Sequence, residues 1–389
     1  MSHPARQDPA ALPLGLLGGL AAGLYAWAGL LVPLWAVELE LPPPAVGLVA
    51  GAAAVLPTLC AIPAGALSER LGPRRLLGLA ALLAAGAALA GPLARTLEAL
   101  VALQLVGGLG RSLVWLAAQA YLVRLGGGPR SARRAVVFSF GSMLGTLLSP
   151  LAVGLIVHRA GYAPAFLLLT GAYLTLGPVV LALPAAPAVL PALESGSLRT
   201  TFAQARQLAL RPGMALVLLG TFLRFASGSL RLAFFPVYLD ALEFSPLAIG
   251  LLVGFGNFVT LGGVLAAGPL LARLGALPLL YLALVLALGA LAATPLATTA
   301  RPLAALAAIW GVGMGLSLPA LLQQIAEDTR PGEQGLAVGL RQAVNEAAAL
   351  LSPLALGLVS LGLGVAGGFY LVGGGLAGLA LAGLVWARR

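Results

Sequence analysis

The chain contains no lysine. All 22 of its basic residues are arginine, only 12 residues are acidic, and charged residues make up 9% of the 389 positions. A soluble protein carries roughly 25%, so a water-facing surface of ordinary extent is excluded. The single cysteine, Cys60, rules out an intrachain disulfide and reads as a small buried hydrophobe. The two histidines, His3 and His158, stand far apart with no cysteine companions, so neither a metal site nor another cofactor is expected. Aromatic residues are scarce (6%) and the arginines are scattered over short loops, so the net charge of +10 does not signal nucleic-acid binding. No nucleotide-phosphate loop is present. No cluster of nucleophile, base and metal ligands occurs at one depth, as a membrane enzyme would need. The longest connection, 185–212, is short for a receptor domain.

What the chain has in abundance is apolar sequence. It is 60% hydrophobic with a mean hydropathy of +1.02. Twelve apolar segments fall near 12–37, 44–67, 76–94, 97–124, 135–158, 162–184, 213–238, 246–270, 277–298, 302–325, 335–360 and 364–386. About 20 residues at 1.5 Å rise cross a ~30 Å hydrocarbon core, so the sequence predicts an all-α integral membrane protein of twelve transmembrane helices. The polar start, Met1–Pro9, runs into too long an apolar stretch for a cleavable signal peptide. In the connection 185–212, Phe202, Ala205, Leu208 and Leu210 read as the apolar side of a surface helix carrying Arg199, Arg206 and Arg211, with a plain linker as the alternative.

The arginines set the orientation. With the N-terminus inside, the cytoplasmic face holds Arg70, Arg74, Arg75, Arg130, Arg133, Arg134, Arg199, Arg206, Arg211, Arg273, Arg330, Arg388 and Arg389. The opposite face holds only Arg95, Arg159 and Arg301, beside five carboxylates. The positive-inside rule then places both termini in the cytoplasm of a multi-pass protein of the cell inner (plasma) membrane.

The chain also repeats itself at an offset of 203. Residues 33–51 match 236–254 at 8 of 19 positions, GALSERLG matches GPLLARLG (268–275) at 5 of 8, and 147–157 match 350–360 at 8 of 11. Two homologous six-helix halves follow, 1–184 and 213–389, joined by a cytoplasmic linker over 185–212. Six crossings is an even number, so the halves lie parallel about an axis along the membrane normal.

Two parallel six-helix halves, with GALSERLGPRR (65–75) between the second and third helices, resemble the major facilitator superfamily. Residues 339–357, GLRQAVNEAAALLSPLALG, look most like its twelve-helix drug/proton antiporter-like branch. The resemblance implies secondary active transport of a small amphipathic molecule by alternating access, as proton-coupled multidrug-type efflux from a monomer. It also implies a gating role for Gly65, Glu69, Arg70, Gly72 and Arg74, with Glu69 latching against the start of the eleventh helix near Glu333–Gly335. Two departures stand out: Gln104 sits where the family pattern has arginine, and Ser149 and Val153 break the antiporter signature in the fifth helix.

Ionisable residues inside the membrane are the best pointers to a site, since each costs at least ~2.5–3.5 kcal/mol at a lipid-facing helix centre. They are Arg111, Arg224, Arg231, Arg341 and Glu346. In the family, helices 1, 4, 7 and 10 line the cavity, which implies substrate contacts for Arg111, Arg224 and Arg231. Trp115 follows Arg111 by one turn; Tyr25, Trp310, Met314 and Asn345 are the softer candidates, with Trp27, Gln323 and Gln324 behind them. Each has a structural alternative, as packing, an interhelical hydrogen bond or an ion pair. Glu346, the sole mid-membrane carboxylate, is the default proton carrier. Four buried arginines against one glutamate also suit an organic anion or acidic-headed amphiphile as cargo.

Overall fold

The computed structural model describes the backbone of residues 10–124, 129–183, 198–329 and 333–387; within these helices the side chains of 61–70, 123–124, 129–132, 198–203, 334–335 and 338 lie outside the described residues. The fold is all-helical. The first half comprises α1 (Ala11–Glu38), α2 (Pro43–Leu71), α3 (Pro73–Ala90), α4 (Leu97–Arg124), α5 (Pro129–Ala160), and a sixth crossing made of α6 (Tyr162–Leu174) and α7 (Leu176–Ala182). A short helix, α8 (Leu198–Ala209), leads into α9 (Pro212–Ala241), α10 (Pro246–Leu274), α11 (Ala276–Ala292), α12 (Ala300–Asp328), α13 (Gln334–Gly368) and α14 (Gly374–Ala387). Ten stretches are long and apolar enough to span a bilayer, and the 17-residue α11 adds another. The last of the ten, Gly339–Ala387, runs 49 residues and bends at Gly364, so it makes two crossings. The total is twelve, as the sequence predicts.

The offset of 203 recurs in the backbone itself. Among the described residues, every positive-φ residue has a partner at that distance: Glu40 (58°) and Glu243 (62°), Gly72 (75°) and Gly275 (80°), Gly161 (84°) and Gly364 (66°). The 3₁₀ turns at Gly91–Leu93 and Thr294–Leu296 are related in the same way. After α1, the amides of Glu40 and Leu41 return to the carbonyls of Val37 and Ala36; after α9, those of Glu243 and Phe244 return to Asp240 and Leu239. These are paired Schellman caps, which satisfy helix-end carbonyls that lack a partner within the helix.

Packing within each half repeats too. α2 and α3 pack on α4 as α10 and α11 pack on α12, and α1 packs on α5 as α9 packs on α13. Small residues bring the backbones together, as expected where helix association relies on close van der Waals fit. A Cβ on Gly141 or Gly145 of α5 would strike the carbonyls of Gly15 and Gly19 in α1, and one on Gly108 would strike that of Ala53.

The halves meet through α2 with α13 and α5 with α10. A Cβ on Gly47 would lie 2.6 Å from the Pro353 carbonyl and 3.1 Å from the Gly357 Cα. One on Gly250 would meet the Pro150 carbonyl and lie 3.1 Å from the Gly154 Cα. Gly47 and Gly250, like Gly154 and Gly357 and Pro150 and Pro353, are 203 apart. One clamp is thus built twice, at the end of the molecule where arginines are few. Pro150 has no N–H, which leaves the Thr146 carbonyl free; Asn257 of α10 donates its Nδ2 to that oxygen at 3.1 Å, across the two halves.

At the arginine-rich end, α8 packs against α9 and α13. Leu208 is buried as the amphipathic reading expects, whereas Leu210 lies beyond the helix and is exposed, and Phe202 is outside the described residues.

Candidate functional site

Two charged clusters lie between the ends of the bundle. In the first, α4 carries Arg111, only 7% exposed, which donates Nη1 to Gln104 Oε1 at 3.1 Å two turns away on the same helix. Its guanidinium carbon lies 5.2 Å from the centre of the Tyr25 ring of α1. Glu346 of α13 is within electrostatic range of both Arg111 and Tyr25, and accepts at 2.8 Å from Gln342 Nε2, one turn earlier. Tyr173 of α6 is within electrostatic range of Arg111 and Tyr25. A void of about 20 Å³, large enough for one water, borders Arg111, Gln104 and Tyr173. So α1, α4 and α13 bring Tyr25, Arg111 and Glu346 together across the boundary between the halves, and Asn345 is buried beside them. Glu346 lies about one turn along α13 from Leu350, whose carbonyl faces Gly51 in the clamp.

The second cluster belongs to the second half. Arg224 donates Nε to Ser317 Oγ at 3.1 Å, and that hydroxyl donates in turn to the Met314 carbonyl at 2.9 Å. Arg341 of α13 lies within electrostatic range of Arg224.

Arg231 is held differently, although it follows Arg224 by two turns. It is 4% exposed, its guanidinium carbon lies 4.3 Å from the ring centres of both Phe235 and Trp310, and Nη2 donates to the Leu252 carbonyl at 3.3 Å. Trp310 is fixed by its own hydrogen bond to Ser227 Oγ at 3.0 Å. Arg231 and Trp310 thus pack together between α9, α10 and α12. Met314 is buried with Ala287, Ala290 and Trp310 against α11, and Trp115 packs on Phe138 with ring centres 6.1 Å apart. Arg231→Ala should lower the stability of the second half by about 2–4 kcal/mol, because it removes a desolvated cation between two aromatic faces; thermal unfolding of the purified protein checks this.

The remaining expected residues lie elsewhere. Gln323 and Gln324 donate to Glu327 and Asp328 near the end of α12. Gly72 makes the turn from α2 to α3 in the conformation glycine permits. Arg74 donates to the Val180 and Leu181 carbonyls of its own half at 2.9 and 3.4 Å. Gly65, Glu69 and Arg70 lie outside the described residues. The start of α13, where the sequence places a partner for Glu69, holds a two-pronged ion pair: Arg211 Nη1 and Nη2 each lie 2.7 Å from a Glu333 carboxylate oxygen. That carboxylate raises the Arg211 pKa above its ordinary value. Gln104, Tyr173, Ser317 and Asn257 join these sites without having been marked as binding residues in the sequence. Only Gln104 stood out there, as a departure from a pattern; a lone hydroxyl or amide in an apolar helix has no periodic signature.

A sequence profile described as Major Facilitator Superfamily matches residues 14–353 and, separately, 217–389. The chain belongs to this superfamily. Among solved structures of the superfamily's fold, the nucleoside transporter NupG aligns with a TM-score of 0.77 at 15% identity, over 97% of this chain and 98% of that one. A bacterial homologue of the human lysosomal transporter Spinster, in an inward-facing and occupied conformation, gives 0.80 at 14% identity, over 98% of each chain. A D-xylose–proton symporter gives 0.74 at 16% identity, over 95% and 96%. At these identities the likeness establishes the fold alone. No curated protein sequence matches the chain. Membership makes this major facilitator protein a multi-pass membrane transporter of small molecules.

Proposed function

We propose that the protein is a proton-coupled secondary transporter that carries a small amphipathic organic molecule by alternating access. Residues 1–184 and 213–389 rock as two bodies, and 185–212 tethers them. The observation that carries this reading is the position of Glu346. It lies one turn beneath a clamp that exists in two copies, within electrostatic range of a cation from the opposite half. A carboxylate so placed links a protonation event to contact between the halves.

By the positive-inside rule the arginine-rich end is cytoplasmic, both termini are inside, and the clamped end faces outward. The conformation is then inward-facing, in the inner membrane, with the chain acting as a monomer. Export, on the pattern of the drug/proton antiporter-like branch, is the direction that residues 339–357 favour. Glu69, Arg70 and Arg74 would act in the opposite, inward-closed state, where the start of α13 approaches the loop between α2 and α3.

Flux into and out of proteoliposomes across a panel of anionic, neutral and cationic amphiphiles, with and without an imposed pH gradient, tests the proposal. Uphill movement of at least one solute driven by the gradient is the expected result. Flux that ignores the gradient for every solute would remove proton coupling, and no flux at all would remove transport of this class.

A further inference from the structure

We propose that Arg224, Arg341 and Ser317 form a subsite for an oxyanion, the carboxylate or phosphate group of an organic molecule. The four intramembrane arginines divide into two kinds. Arg111 and Arg231 have their charge answered by the protein, through Gln104, Tyr25 and nearby Glu346 in one case, and through two aromatic rings and a carbonyl in the other. Arg224 and Arg341 do not. Among the described residues, Arg224 has one partner, Ser317, which takes only its Nε. Its Nη1 and Nη2 have no protein acceptor. Among the described residues, the Nε of Arg341 is buried with no hydrogen-bond partner.

Arg224 lies on α9 and Arg341 on α13, helices that pack against each other, and Arg341 is within electrostatic range of Arg224, with no carboxylate contributing among the described residues. Two partly buried like charges within electrostatic range, with several donors unused, are unfavourable as they stand. A bidentate oxyanion answers both defects at once, since guanidinium forks match the geometry of carboxylate and phosphate. Ser317 fits the same role. Its hydrogen goes to Met314, so its lone pair holds the Arg224 Nε and leaves the Nη edge free. Glu346, on the same helix as Arg341, is engaged by Gln342 and Arg111 and does not serve as the counter-ion.

The subsite deepens the transport reading by naming the class of cargo, and it rests on that reading only for the anion being cargo; binding itself is measured without flux. The purified protein in phosphatidylcholine nanodiscs is titrated with phenyl phosphate, benzoate and benzylamine, and thermal unfolding is followed by intrinsic fluorescence. The two anions should raise Tm and benzylamine should not. Arg224→Gln and Arg341→Gln should each weaken the anion response at least ~10-fold, as expected for loss of a charge-assisted pair. Neither variant should have a lower Tm without ligand, since each removes a buried cation that lacks a counter-charge. Ser317→Ala, which leaves both charges in place, should weaken the response to a smaller extent and serves if an arginine variant does not fold. Equal stabilisation by benzylamine, or an anion response unchanged in all three variants, would overturn the proposal. Repeating the titration in nanodiscs containing phosphatidylglycerol separates two sources of the same chemistry. An anion response that disappears there assigns the subsite to a lipid headgroup, and one that persists assigns it to a soluble anion. If the anions bind and flux experiments fail, the subsite stands and the transport reading falls.

Discussion

Gly250→Leu should open the clamp on both sides of the molecule and cut transport by an order of magnitude or more. The Cβ alone would meet the Pro150 carbonyl and lie 3.1 Å from the Gly154 Cα. Both obstacles are backbone atoms, which cannot rotate away as a side-chain tip can. Overpacking of this kind costs about 1–3 kcal/mol, which corresponds to about a 5- to 150-fold change in the balance between two conformations. The cost falls only on the clamped state, because the other state separates α5 from α10. A labelling experiment reads the shift directly. In a Cys60→Ser background, Leu354→Cys places a thiol on α13 at its contact with Gly51 of α2, in the copy of the clamp that the leucine does not touch. If the halves move as bodies, Gly250→Leu raises the reaction of that thiol with a membrane-impermeant maleimide added outside. Gly47→Leu should have the same effect on flux, and Gly250→Ala a smaller one. Unchanged labelling together with unchanged flux would show that the two copies do not act as one closure.

Glu346→Gln should abolish uphill movement driven by a pH gradient while leaving exchange of cargo across the membrane intact. Ionised Glu346 attracts Arg111 across the boundary between the halves, in an environment where charge interactions are weakly screened. Protonation removes that attraction and favours separation. Glutamine keeps the volume and the partnership with Gln342, but fixes the group in its neutral condition. The variant can then pass between conformations with cargo bound, but has no proton to exchange. Accumulation measured in proteoliposomes under a gradient should fall to background, and counterflow of labelled cargo should persist. Continued accumulation would show that the proton travels by another route.

The architecture was legible in the sequence because it rests on local, repeated signals. Apolar runs give the crossings, and proline, glycine and glutamate at one constant spacing give the duplication. The backbone carries that spacing down to single residues, as Glu40 and Glu243 show. The site was only half legible. Arg224 and Arg231 lie on one helical face and share the local pattern Leu-Arg-x-Ala, so spacing treats them alike. Their difference comes from α10 and α12, which supply Leu252 and Trp310 to one and Ser317 to the other. Met314, a candidate cargo contact with packing as its alternative, clusters with Ala287 and Ala290 of α11 while its methyl group reaches toward Gly228 of α9, an arrangement that composition does not record. The charged residues are also where the duplication fails. Arg111, Arg224, Arg231, Arg341 and Glu346 correspond to Met314, Ala21, Ala28, Phe138 and Met143. The scaffold is present in two copies and the chemistry in one.

The clamp is made of glycine Cα atoms and proline carbonyls, with no ionisable group in it. Salt therefore has nothing there to shield, and acid reaches the closed end only through Glu346, one turn beneath it. At the opposite end, Arg211 and Glu333 tie the start of α9 to the start of α13 within the second half, and their 2.7 Å contacts are about one-third exposed to water. Ionic strength acts on that pair directly. A change in salt is thus felt first on the side that carries the arginines, and a change in acidity at Glu346.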